Sequence, residues 1–501
     1  SGDISSDTES RILMKAAKQR KESAEIFQKE NRNDLTEREL FQLEVINRYL
    51  PKQLSAEELR AAVETIIREL QLHRTPAGFG PFNTVYFGGG TPSLLSLEEL
   101  AEILNAVRVL FGIREGAELT LEANPDDLSA EKSVAFRNAG INRLSIGIQT
   151  FHDPTLAMMN RTHTGEQAFR ALENVRTAGF GNISADLIFA VPGRTMELLV
   201  EDLELLLRQR PQHISTYGLT IEERTVFGKR YLKGEFHPVE EDRNADEFEL
   251  IMDTLTEAGY RQYEVSNFAL PGYESVHNSN YWHRVPYLGV GPGAHSFTGE
   301  ERFFNNAINH QYMASVQAGR LPRTVETLDR TDRINEYLMT SLRLDTGCDL
   351  ELLDRLYGHR PDEDQLRVIG LLTENGSAKM DNGKLVLTRK GRLIADKIAE
   401  RDPAMVVRMV APSMVTVPPG FRTVRIWPTY SCDPFATCNT WILASVKISL
   451  PSSDSLLSAL LTYASTTMSA RRSRIGATSV GTSPPKYWLS ASVFTITSAP
   501  M

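Results

Sequence analysis

The sequence predicts an α/β protein built on a repeated βα barrel, whole or partial, and three observations carry that expectation. Short β-branched runs alternate with amphipathic helical stretches between Thr84 and Phe268, the pattern of parallel strands joined by crossover helices. Gly140, Gly179 and Gly259 close helical stretches, as residues able to take a left-handed conformation do at helix C-termini. Polar residues gather where strands end and the next helix begins, the face on which such a barrel keeps its chemistry.

Taken in order, residues 1–66 read as a densely charged helical hairpin. Thr36 with Glu39 forms one candidate capping box, followed by Leu40, Leu43, Ile46 and Leu50 at helical spacing before Pro51. Ser55 with Glu58 opens the next helix. Residues 67–300 hold the barrel, with strands expected at 84–87, 118–121, 144–148, 183–189, 213–219 and 263–265. Helices between them are opened by Ser96 with Glu99 and by Thr164 with Gln167. Residues 301–403 return to helices and contain Asp381-Asn382-Gly383, a hairpin turn signal, with a helix from Thr388. That order suits a winged-helix-like module or a plain helical cap on the barrel.

Residues 404–501 differ in kind. The chain carries a net charge of -9, yet this segment has eight Lys/Arg against two Asp/Glu, a net of +6, and 28 Ser and Thr. It shows no sustained period, so it reads as a flexible, disordered Ser/Thr-rich extension or as a non-native stretch. The overall acidity excludes a global attraction to nucleic acid or anionic lipid. Three cysteines, Cys348, Cys432 and Cys438, are too few for a disulfide framework. With no apolar leader at the N-terminus, a cytoplasmic location is the expectation.

The sharpest local signal is Gly88-Gly89-Gly90-Thr91-Pro92-Ser93 after a strand and before a helix. Such glycines let the backbone approach a ligand, and the helix start behind them favours an anion. The next strands end at Glu122 and Gln149; Arg161 follows, and Asp186 lies within the fourth strand. Carboxylates accept hydrogen bonds from an ammonium or ribose hydroxyls, and an amide both donates and accepts. Each residue alone could be a cap or an ion-pair partner, but convergence on one barrel face favours a ligand site.

Nine ordered blocks make the resemblance specific. They are GGGTPS at 88–93, LEANP at 121–125, RLSIGIQTF at 143–151, MNRTH at 159–163, ADLIFAVPG at 185–193, STYGLTIEE at 215–223, YEVSNFA at 263–269, HNSNYW at 277–282 and YLGVGPGAHSF at 287–297. From about residue 66 to 400 the chain resembles the radical S-adenosylmethionine family of the oxygen-independent coproporphyrinogen III oxidases and, within it, the HemW haem chaperones. The resemblance implies a partial (β/α)6 barrel in which Gly89, Gly90 and Thr91 hold the methionyl end of S-adenosyl-L-methionine. Glu122, Gln149, Arg161 and Asp186 would contact its amino, ribose and carboxylate groups, with Thr220 a weaker candidate. HNSNYW would lie near haem or porphyrin, His277 being a tentative iron ligand, and a haem-acceptor protein would be a partner.

The chain departs from that family in one respect. The family binds a [4Fe-4S] cluster through three cysteines in C-x3-C-x2-C after the first barrel strand, and no cysteine precedes Thr84 here. The first strand is also absent from its expected place, so the sheet is expected to expose an edge beside Tyr86 unless the helical hairpin covers it. No metal site is expected, and radical chemistry is expected to be lost. Residues 1–66 resemble the later helices of the YqeY-like family, which implies a possible tRNA contact through Lys15, Lys18, Arg20 and Lys21, or a solvated helix face.

Overall fold

The computed structural model describes parts of residues 16–30, then 32–47, 56–74, 79–221 and 226–395, and the backbone of 493–498. These residues belong to one unit, and residues 411–488 lie outside the described residues. Parallel strands β1 (Phe82–Gly88), β2 (Ile113–Ala123), β3 (Arg143–Gln149), β4 (Ile183–Phe189) and β5 (His213–Gly218) lie side by side in sequence order. The sheet continues through β7 (Asn267–Ala269) to β6 (Arg261–Gln262) at one end. At the other lie β8 (Tyr287–Val290), β9 (His295–Phe297), β10 (Glu301–Asn305) and β11 (Arg323–Thr327). This is the open, partial barrel that the alternating pattern predicts.

Alternation decides the packing. Along β2, β3 and β4 the residues Leu119, Leu121, Leu144, Ile146, Ile183 and Leu187 are buried in one apolar core with the helices that follow each strand. Their neighbours Thr120, Glu122, Ser145, Ser184 and Asp186 point the other way, because successive side chains leave a strand on opposite faces. Helix Leu97–Leu110 starts on a reciprocal capping box between Ser96 and Glu99, and Gly165–Thr177 on one between Thr164 and Gln167, as the sequence predicts. Gly140, Gly179 and Gly259 all take positive φ just past helix ends.

Three expectations need correction. Tyr263–Val265 is not a parallel strand but the turn of the antiparallel β6–β7 hairpin, within which the Glu264 carboxylate accepts the Ser266 N–H at 3.0 Å. Thr36 is not an N-cap: its helix begins earlier, at Asn33, and its hydroxyl donates to the Arg32 carbonyl, while Glu39 pairs with Arg20 at 3.0 Å. The edge beside Tyr86 is not open and is not covered by the hairpin, since β15 (Val493–Ser498) pairs antiparallel with both β1 and β8. Helix Ala56–His73 runs through residue 66, the expected boundary, without a break.

That helix is anchored beyond the boundary by Glu69. Its buried carboxylate accepts from the Tyr312 hydroxyl at 2.5 Å, the Asn305 amide at 2.6 Å and the Gly291 N–H at 2.9 Å. Between 330 and 392, the order helix, β12 (Cys348–Asp349), two helices, β13 (Ala378–Asp381) and β14 (Lys384–Leu387) gives a three-stranded sheet β12-β14-β13. This is the winged-helix-like arrangement rather than a plain helical cap. Its hairpin turns at Asn382 and Gly383, both with positive φ, as a two-residue turn of this type requires. Among the described residues no helix is long and apolar enough to cross a membrane.

Candidate functional site at the strand ends

The C-terminal ends of β1 to β4 bring together most of the residues singled out in the sequence. Glu122, at the end of β2, accepts the Tyr86 hydroxyl at 2.7 Å and the Gly89 N–H at 3.0 Å. One carboxylate thus ties the glycine loop to the neighbouring strand. Gly89 and Gly90 have φ of 72° and 67° and are exposed, a conformation that leaves the loop backbone open to a ligand. Thr91 precedes the 3-10 turn Pro92–Leu94 and makes no side-chain cap to it. Gln149 ends β3 with φ of 66°, and its amide folds back over Gly147, where an added Cβ would meet Nε2 at 2.8 Å and Arg161 Nη1 at 4.0 Å. Gly147 therefore leaves room for the Gln149 amide, which a side chain at 147 would displace.

Asp186 stands on β4 between Ser145 on β3, with Oγ at 3.4 Å, and Ser215 on β5, which also hydrogen-bonds it. Burial pushes its pKa up to about 6, the Glu122 charge adds to the rise, and the two serines and Arg143 oppose it. Burial likewise raises Glu122, against the hydrogen bonds from Tyr86 and Gly89, and raises Tyr86 well above its usual value with help from Glu122. Burial lowers Arg161, and the charges of Asp186 and Asp126 offset part of that. Burial thus disfavours the charged form of both carboxylates at the mouth, where the Arg161 guanidinium also lies partly desolvated.

The Asp186 shift carries a pH dependence. Its folded pKa lies above the unfolded value of 3.8, so the folded state binds the proton more tightly. The resulting stability is fully present below about pH 4 and is lost as pH rises through 6. The loss is expected to be about 2 kcal/mol between those limits after allowance for solvent at the mouth. Asp186→Asn should flatten that part of the profile in urea titrations at pH 4 and pH 7. An unaltered slope in the variant would assign it to other groups.

The remaining candidates fall elsewhere. Thr220 lies exposed just past β5, next to residues outside the described set. His277, on helix Val276–Trp282, is buried: its Nδ1 is 2.7 Å from Thr84 Oγ1, its Nε2 is 2.9 Å from the Tyr281 hydroxyl, and its ring stacks on Tyr86 at 4.7 Å. Burial and the Arg143 charge lower its pKa to about 3. A haem iron could reach Nε2 only after the Tyr281 hydroxyl moved away. Of the four basic residues near the N-terminus, Arg20 is committed to Glu39, and Lys15, Lys18 and Lys21 lie outside the described residues. Sequence reasoning missed Tyr86, Ser145 and Ser215, although the period of two through Thr84, Tyr86 and Gly88 and through Glu118, Thr120 and Glu122 marks the polar face.

Among the described residues, those present do not fit an iron–sulfur cluster. Cys348 is buried in β12, paired with Leu385, and its thiol is pushed up to about 11 by burial, away from the thiolate a cluster requires. Cys432 and Cys438 lie outside the described residues. Among the described residues no three His, Cys, Asp or Glu come together to hold a metal.

Comparison with known proteins agrees with this architecture. Residues 48–206 match the Radical SAM superfamily, 1–81 the Yqey-like protein family and 328–394 the HemN C-terminal domain. The chain is 34% identical over 359 residues to the heme chaperone HemW of Lactococcus lactis, covering 70% of this chain and 90% of that one. It is 34% identical over 354 residues to HemW of Bacillus subtilis, with 70% and 93% covered. The structure of the Escherichia coli coproporphyrinogen III oxidase HemN, described as a radical SAM enzyme, superposes with a TM-score of 0.59 at 22% identity, over 72% of this chain and 86% of that one. With an α/β partial barrel, polar groups converging at its strand ends and a winged-helix-like module behind it, this chain belongs to the HemW family of the radical SAM superfamily.

Proposed function

We infer that this chain is a haem-handling protein of the HemW type that binds S-adenosyl-L-methionine at the strand ends but does not carry out radical chemistry. The observation that carries this reading is the mouth itself, where Glu122, Asp186, Arg161 and Gln149 converge beside the Gly89–Gly90 backbone. The donor set suits the cofactor. The two carboxylates offer acceptors to an ammonium and to ribose hydroxyls, Arg161 offers a partner to a carboxylate, and the Gly89–Gly90 backbone allows close approach. When bound beside a cluster, the cofactor would supply a carbon radical on reduction; among the described residues the single thiol, that of Cys348, is buried in β12. Haem binding and delivery to an acceptor protein are inferred from the kinship with HemW chaperones.

Purified full-length protein, reconstituted anaerobically with iron and sulfide, should show none of the broad visible absorbance of a cluster while retaining labelled S-adenosylmethionine in equilibrium dialysis. Stoichiometric iron and inorganic sulfide would overturn the loss of radical chemistry. Absence of cofactor retention would overturn the assignment of the mouth. A haem titration on the native chain and on His277→Ala tests the third element: an unchanged Soret shift in the variant places the iron ligand elsewhere.

A further inference from the structure

Strand β15 occupies an unusual position in this sheet. It enters between β1 and β8 and runs antiparallel to both, pairing Val493 to Ser498 along β1 from Gly88 to Phe82 and Phe494 to Thr497 along β8 from Val290 to Tyr287. Its residues come from the far end of the chain, separated from the last described residue of the winged-helix-like module by 396–492. The strand is therefore central in the sheet and remote in the sequence.

The two walls of the gap are complementary to a strand. Gly289 donates its N–H to Ser296 Oγ and Gly291 donates to Glu69. Successive N–H groups alternate in direction along a strand, so the amides of Leu288 and Val290 point into the gap. On the other side β1 gives its second row of backbone groups to the gap, the first being used by β2. Unfilled, these two rows would be facing unpaired edges, which proteins avoid. The occupant, Val493-Phe494-Thr495-Ile496-Thr497-Ser498, is made almost wholly of residue types favoured in strands.

We propose that the gap between β1 and β8 is a strand-binding site in its own right, whose ligand class is an extended β-branched peptide and whose resident occupant is the chain's own 493–498 segment. Main-chain hydrogen bonds on both sides supply the affinity, as in other cases of strand addition. The occupant can then be released and replaced by an equivalent peptide supplied from outside. The proposal is independent of cofactor or haem binding.

Hydrogen exchange on the full chain tests it. In the unmodified protein the amides of Leu288 and Val290 should be protected; rapid exchange there would overturn the proposal at once. Thr495→Pro, and separately Thr497→Pro, removes a backbone donor from the middle of the occupant. Each should raise exchange in 82–88 and 287–290 at least tenfold while 143–149 and 183–189 stay protected, which also shows that the barrel remains folded. A synthetic peptide of residues 491–499, added at roughly millimolar excess to match the effective concentration of a tethered segment, should restore protection at both walls. Exchange unchanged by either proline, or protection that the peptide fails to restore, would overturn the site.

Discussion

Asp202→Ala is expected to lower the stability of the barrel by about 3–5 kcal/mol, the range for stripping a buried charge of its partner. Asp202 and Arg194 are both buried, with Nη2 and Oδ2 3.0 Å apart. The carboxylate also accepts the Thr150 hydroxyl at 2.6 Å and the Phe151 N–H at 2.8 Å, and Arg194 Nη1 donates to the Ile188 carbonyl at 2.7 Å. The pair thus joins the end of β3 to the end of β4, behind Gln149 and Asp186. Burial raises the Asp202 pKa and lowers that of Arg194, each against the attraction of the other. Removing the carboxylate leaves a buried guanidinium without its paired charge and two further donors, the Thr150 hydroxyl and the Phe151 N–H, without their acceptor. Arg194→Met combined with Asp202→Leu should be milder than the single change, because no stranded charge remains. Urea denaturation of the three variants checks this; a double variant less stable than Asp202→Ala would place the energy in packing.

Glu122→Leu should weaken S-adenosylmethionine retention at least tenfold, or about 1.4 kcal/mol, and cost about 1–3 kcal/mol of stability. Both effects have one cause. The carboxylate satisfies the Tyr86 hydroxyl and the Gly89 N–H together, so an apolar replacement orphans both and frees the glycine loop. It also removes an acceptor for a cationic ligand. Glu122→Gln keeps the shape and one acceptor oxygen, and should recover most of the stability but little of the binding. Equilibrium dialysis with labelled cofactor, alongside denaturation of each variant, separates the two contributions. Equal retention by Glu122→Leu and the unmodified chain would remove this carboxylate from the site.

Strands β1 to β5 are legible in the sequence because each is a β-branched run bounded by glycine or by a helix start, as in Ile183–Phe189 followed by Pro192-Gly193. Tyr263–Val265 misleads for the same reason: its residue types favour a strand, but the Glu264 carboxylate, through Ser266, fixes a turn that no pattern of apolar residues records. The mouth is legible where motif and strand end coincide, at Gly89, Glu122 and Gln149. It is less legible where a residue acts through a partner on another strand, as Ser215 does for Asp186. The Arg194–Asp202 pair and the placement of β15 depend on tertiary contacts across long stretches of sequence, and local pattern carries no trace of either.

The helix Ala56–His73 ties its two halves to different partners. It is a single rod about 27 Å long, with Val63 and Ile66 in the barrel's core and Glu69, one turn further on, clamped to Tyr312 and Asn305. Inserting or deleting one residue between Ile66 and Glu69 would turn the carboxylate by about 100° around the helix axis and swing it away from its three donors.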